Sequence, residues 1–118
     1  MEPMKTSLAN KRAYGRVPFT GRLMVLDASS GQKFEANGIN IGVAGIGFYS
    51  EKLFQKDSRI SIQVCLDNAS HLDPVWINAT VRWSKIEQDG AVMGVQFDTF
   101  IKSVEHPELY ELIYEKKV

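Results

Sequence analysis

Arg59-Ile60-Ser61-Ile62-Gln63-Val64-Cys65-Leu66 alternates without a break. Ile60, Ile62, Val64 and Leu66 face one way, and Ser61, Gln63 and Cys65 face the other. Successive side chains of a strand point to opposite sides, so a period of two marks a β-strand with one face against a core. The same pattern recurs on both sides of this stretch. Upstream, Val17, Phe19, Leu23 and Val25 share a parity, and Asp27-Ala28-Ser29-Ser30-Gly31 ends that run as a turn. Gln32 to Ile41 reads as a weaker partner strand, and Ala44 to Ser50 as a short strand bearing glycines. Downstream, Asp67 to Pro74 is a loop. Val75, Ile77, Ala79, Val81 and Trp83 then lie on one side of a strand over 75–86, so Trp83 is expected in the core and Trp76 on the outer face. Asp89-Gly90 is a hairpin signal, and Met93, Val95 and Phe97 share one face of the returning strand.

The period changes at the end of the chain. His106-Pro107 suits a helix start, with Pro107 in the first turn. Leu109, Leu112 and Ile113 form an apolar stripe at helical spacing. Glu105, Glu108 and Glu111 come early and Lys116 and Lys117 late, as the helix dipole favours. The expectation is about six antiparallel strands followed by one α-helix, in a barrel or a sandwich.

Composition narrows the class. The chain has 118 residues, 44% of them apolar, enough for one domain with a real core. A single cysteine, Cys65, excludes an internal disulfide framework. Residues 1–10 lack the apolar stretch of a secretory signal, and no run suits a membrane span, so a cytoplasmic protein is expected. The chain carries 14 basic and 14 acidic residues. Residues 1–22 hold Lys5, Lys11, Arg12, Arg16 and Arg22 against Glu2 alone, so that segment is +4 and the remainder −4. Net neutrality argues against general nucleic-acid binding, and a barrel for single strands would need a basic groove with aromatics. A cationic segment on a neutral protein suits one localised anion.

Two motifs carry the functional signal. Arg12 and Arg16 stand four apart in Lys11-Arg12-Ala13-Tyr14-Gly15-Arg16, and Asn40-Ile41-Gly42-Val43-Ala44-Gly45 follows. Together they resemble the PilZ family of cyclic di-GMP receptors, whose signature is Arg-x-x-x-Arg followed by Asp/Asn-x-Ser-x-x-Gly. Met93-Gly94-Val95-Gln96-Phe97 also resembles the Gly-x-x-Phe end of that family's last barrel strand. The resemblance covers roughly residues 10 to 115. It implies a six-stranded antiparallel β-barrel of the split-barrel kind over residues 16–118, with a C-terminal α-helix and a flexible N-terminal arm over 1–15. It implies cyclic di-GMP as ligand, with Lys11, Arg12, Arg16, Asn40, Gly42 and Gly45 as binding residues. Gly42 departs from the pattern, because the family has serine there.

The chemistry agrees. Cyclic di-GMP offers two phosphodiester anions and two guanines. Guanidinium forks pair with phosphate oxygens and with the O6/N7 edge of guanine. Asn40 offers both a donor and an acceptor, and glycines let the backbone approach closely. Lys11 adds charge or supports a second ligand molecule, and Tyr14, inside the motif, is either a base stack or a solvent-exposed aromatic. With no output domain in the sequence, the signal would pass to an unidentified effector protein. The alternative is a degenerate PilZ-like domain that binds protein and no nucleotide, which Gly42 favours.

Other features read as structural. Asn40 and the neighbouring glycines also suit a tight turn. Gly45-Ile46-Gly47 is no dinucleotide fingerprint, because no helix pattern follows it. His71 and His106 lack a ligand cluster, so no metal is expected. The sequons at Asn68 and Asn78 read as accidental. No nucleophile elbow, phosphate loop or triad is present, so neither catalysis nor a cofactor is expected.

Overall fold

A computed structural model describes residues 15–65 and 76–115. Seven strands precede one helix: β1 Arg16–Pro18, β2 Arg22–Asp27, β3 Lys33–Gly42, β4 Gly45–Ser50, β5 Arg59–Cys65, β6 Ile77–Glu87, β7 Gly90–Phe97 and α1 Pro107–Glu115. The sheet runs β1-β3-β2-β5-β6-β7-β4, and β4 pairs back onto β3. Six strands therefore close into an antiparallel barrel, and β1 is an extra strand on β3. Closure satisfies the backbone groups that an open edge would expose.

The alternation in β5 does what its pattern implies. Ile60 and Ile62 are buried between β2 and β6 while Arg59 stays exposed, and Val64 packs partly against the core. Leu23, Val25, Ile41, Ile46, Phe48, Val81, Met93 and Val95 fill the same interior. Each such side chain contributes roughly 1.5–3 kcal/mol on removal from water. The helix starts at Pro107, where the His106 carbonyl accepts the Tyr110 N–H. Leu109 and Ile113 turn its apolar stripe onto the core.

Four details differ from the sequence reading. Val17 to Val25 is two strands, interrupted at 19–21. Both lie along β3, because the Phe19 N–H donates to the Ile39 carbonyl and the Gly38 N–H to the Gly21 carbonyl. Val17, Phe19, Leu23 and Val25 are nevertheless all buried, so the parity survives the break. The strand count rises from six to seven for the same reason. The hairpin between β6 and β7 turns one residue early. Gly90 pairs with Glu87, so the loop is Gln88-Asp89, with Gln88 at φ 42°. Finally, Trp83 is not core: its side chain is 48% exposed. Val81 pairs with Val95 but Trp83 pairs with Gly94, leaving Arg82 as the extra residue of a β-bulge. One inserted residue flips every later side chain to the opposite face.

Trp76 is half-buried, with the Lys33 ammonium 5.7 Å from its ring centre. Cys65 is a half-buried free thiol. Lys11, Arg12, Tyr14, Leu66, the loop over 67–74, His71, Val75, Lys116 and Lys117 lie outside the described residues.

Candidate functional site

The site is assembled by strand register. Arg16, Val17 and Pro18 of β1 pair with Gly42, Ile41 and Asn40 of β3. Val17 is buried, so alternation turns Arg16 and Pro18 outward. β1 pairs on one side only, where a proline is tolerated. This pairing brings the second arginine of the first motif beside the second motif. Arg16 is thus a strand residue rather than part of the arm, and its Nη1 donates to Asn40 Oδ1 at 3.0 Å. The bond leaves the Asn40 amide N–H groups for another acceptor.

Gly42 and Gly45 flank the turn between β3 and β4. The Val43 carbonyl accepts from the Ile101 N–H, and the Ala44 carbonyl accepts from the Phe97 N–H, so the turn is tied to β7 and the segment after it. Gly45 has a steric role as well. A Cβ there would run into the Val95 carbonyl and stand 3.0 Å from Arg16 Nη2. The Arg16 guanidinium therefore lies above Gly45.

Next to this pair two glycines are covered by neighbouring side chains. Asn40 pairs with Gly47, Gly47 with Gly94, and Gly94 with Trp83. A Cβ at Gly47 would stand 3.0 Å from Asn40 Oδ1, and one at Gly94 would overlap the Trp83 indole. The Asn40 amide thus lies against Gly47 and the Trp83 indole over Gly94. Three strand spacings of about 4.8 Å separate the backbones of Asn40 and Trp83, roughly 14 Å, and their side chains lean inward over the glycines between.

The electrostatics favour an anion. Burial by neighbouring atoms pushes the Arg16 pKa below its ordinary value, yet a guanidinium stays charged at neutral pH. Among the described residues it has no carboxylate partner. Other clefts lie elsewhere on the barrel. One of about 510 Å³ is lined by Arg22, Phe34, Glu35 and Lys52 among others, but Arg22 there is paired with Glu35 at 3.4 Å. Among the described residues no three His, Cys, Asp or Glu side chains group as metal ligands, and no helix is long and apolar enough to cross a membrane.

Arg16, Asn40, Gly42 and Gly45 therefore come together, while Lys11 and Arg12 lie outside the described residues. Sequence reasoning missed Trp83 and Gly47 as parts of the same face. The available signal was the aromatic Trp83 and the glycines Gly94 and Gly47 in three successive strands of the sheet, which cross-strand pairing brings together once register is known.

Comparisons with known proteins agree with this geometry. The pattern of the PilZ domain matches residues 10–115. No curated protein matches the chain. Among solved structures, the Bacillus subtilis inhibitor of motility (MotI/DgrA) superposes with a TM-score of 0.70 at 16% identity, over 91% of this chain and 51% of that one. The PilZ domain of Escherichia coli YcgR, solved with c-di-GMP, gives 0.65 at 12% identity, over 89% and 90%. Borreliella burgdorferi PlzA, in complex with c-di-GMP, gives 0.54 at 10% identity, over 95% and 57%. The chain spans about half the length of the first and third of these proteins. At such identities the superpositions speak for the fold, and the domain pattern covers most of the sequence. With the barrel, its two motifs in contact and that match in agreement, the chain belongs to the PilZ domain family.

Proposed function

We propose that this chain is a cyclic di-GMP receptor that signals to a partner protein. The observation that carries the reading is the Arg16 guanidinium, held by a neutral amide above Gly45 with no carboxylate partner among the described residues. Arg16 takes a phosphodiester or a guanine edge, and Asn40 donates its free N–H groups to the same ligand. Gly42 and Gly45 let the ligand approach the backbone, and Gly47 and Gly94 let the Asn40 amide and the Trp83 indole lie close to the wall. Trp83 stacks on a base of the ligand. Arg12 and Lys11, four and five residues before Arg16, close over the ligand from the N-terminal side.

Closure of residues 1–15 onto the barrel changes the surface that a partner meets, and this is the proposed signal. Its ordering entropy favours a reversible switch over a permanent cofactor. The reading needs no catalytic step, and the lone cysteine suits a reducing cytoplasm. The second reading, a protein-binding domain without nucleotide, rests on Gly42 in place of serine.

Titration calorimetry with cyclic di-GMP separates the two. Saturable heat at micromolar ligand is expected. No heat at high micromolar ligand would leave the protein-binding reading in its place.

A further inference from the structure

The bulge in β6 presents a second arginine to the same outer face. Between Val81, paired with Val95, and Trp83, paired with Gly94, Arg82 has no counterpart on β7. Bulges re-aim side chains, and Arg82 and Trp83 are both exposed. Arg82 lines a shallow cavity of about 230 Å³ with Thr80, Gln96, Phe97 and Asp98. The acidic member of that cavity is already engaged, because Asp98 accepts from both arms of the Arg59 guanidinium. The Thr80 hydroxyl accepts from Arg59 too. Arg82 and Gln96 have no side-chain hydrogen bond to another described residue. Gln96 is the β7 partner of Gly45, the residue beneath Arg16 Nη2. The Arg16 guanidinium lies over Gly45 of β4, and β6, which carries Arg82, is two strands beyond β4, a separation of roughly 10 Å along the sheet.

We propose that Arg82, with Gln96, reads the edge of one guanine of the bound nucleotide. The inference rests on the cyclic di-GMP reading above. A guanidinium fork matches the paired acceptors O6 and N7 of guanine, and adenine puts an amino donor where guanine has O6. The Gln96 amide oxygen accepts from the guanine N1–H or amino group. The neighbouring Trp83 holds the base in plane. Arg82 therefore sets base specificity, while Arg16 supplies the anion contact common to cyclic dinucleotides.

The test is calorimetric titration of cyclic di-GMP into the wild-type chain, Arg82→Ala and Arg82→Lys. Arg82 has no side-chain hydrogen bond or ion pair among the described residues, so both variants are expected to melt at the wild-type temperature. Arg82→Ala is expected to weaken binding about tenfold to a hundredfold. Arg82→Lys, which keeps the charge but not the fork, is expected to be nearly as weak. Wild-type affinity in Arg82→Ala overturns the inference and leaves the receptor reading standing. Full recovery by Arg82→Lys also overturns it, because charge alone would then suffice. Absence of binding by the wild-type chain overturns the receptor reading, and this inference with it.

Discussion

Arg16 and Arg59 are both exposed barrel arginines on neighbouring parts of one surface, yet their surroundings are opposite. Arg59 donates to Thr80 Oγ1 at 2.7 Å and to the two Asp98 oxygens at 2.9 and 2.6 Å. These bonds raise the Arg59 pKa and lower that of Asp98. Among the described residues Arg16 has one side-chain bond, to a neutral amide, and burial lowers its pKa. Arg59 is a finished structural clamp between β5 and the end of β7. Arg16 is oriented but not neutralised, which is the state that a binding group needs before its anion arrives. The difference shows why a count of basic residues says little about function, and the absence of a paired acid says more.

The largest expected effect comes from exchanging the two arginines' fates. Arg16→Ala should weaken cyclic di-GMP binding by a hundredfold or more, since a charge-assisted contact and the Asn40 orientation go together (about 3 kcal/mol). Arg59→Ala should cost far less, only what freeing Asp98 beside Arg82 takes away. Equal losses in a parallel titration would erase the distinction drawn here. Trp83→Ala comes next. Loss of a base stack is worth about 1–3 kcal/mol, so affinity should fall about tenfold, with the indole fluorescence response lost. Gly42→Ser, which restores the family residue, should tighten binding by up to about tenfold (roughly 0.5–1.5 kcal/mol). Unchanged affinity there would mean that the position contributes nothing to the ligand.

The smallest effect belongs to the Arg59 clamp. Asp98 has a folded-state pKa below its ordinary value, chiefly from its hydrogen bond to Arg59. Its stabilising contribution is therefore present above the ordinary carboxylate pKa and fades as pH falls through the folded value. Melting temperature should be flat from pH 7 to 5 in this respect and decline below about pH 4. Asp98→Asn should flatten that decline slightly, because exposed ion pairs are weak. A decline of unchanged steepness would assign the acid sensitivity to other carboxylates, Asp27 among them, whose pKa is lowered by hydrogen bonds from Ser29.

Much of this was legible in the sequence, for definite physical reasons. The burial of Ile60, Ile62, Met93, Val95 and Phe97 follows from strict alternation, and α1 from Pro107 and the Leu109–Ile113 spacing. Arg16, Asn40 and Gly45 were legible as a motif because backbone approach demands glycine at Gly45. Trp83 was not. Periodicity assumes that no residue is inserted, and the bulge at Arg82 breaks that assumption without any glycine or proline to announce it. The break at 19–21 escaped for a similar reason, since the buried parity continues across it. Gly47, Gly94, Arg82 and Trp83 become neighbours only through pairing among β4, β6 and β7. Such register is a property of the whole barrel rather than of any local stretch.

The central claim is that cyclic di-GMP binds on the face between Arg16 and Trp83. An amide-detected NMR titration of the wild-type chain tests it most directly. Saturable shifts at Gly45, Gly47, Gly94 and the Trp83 indole N–H, with the Arg22–Glu35 cleft undisturbed, are the predicted result. Saturable binding with shifts confined to that cleft, or no shifts at all, would contradict it.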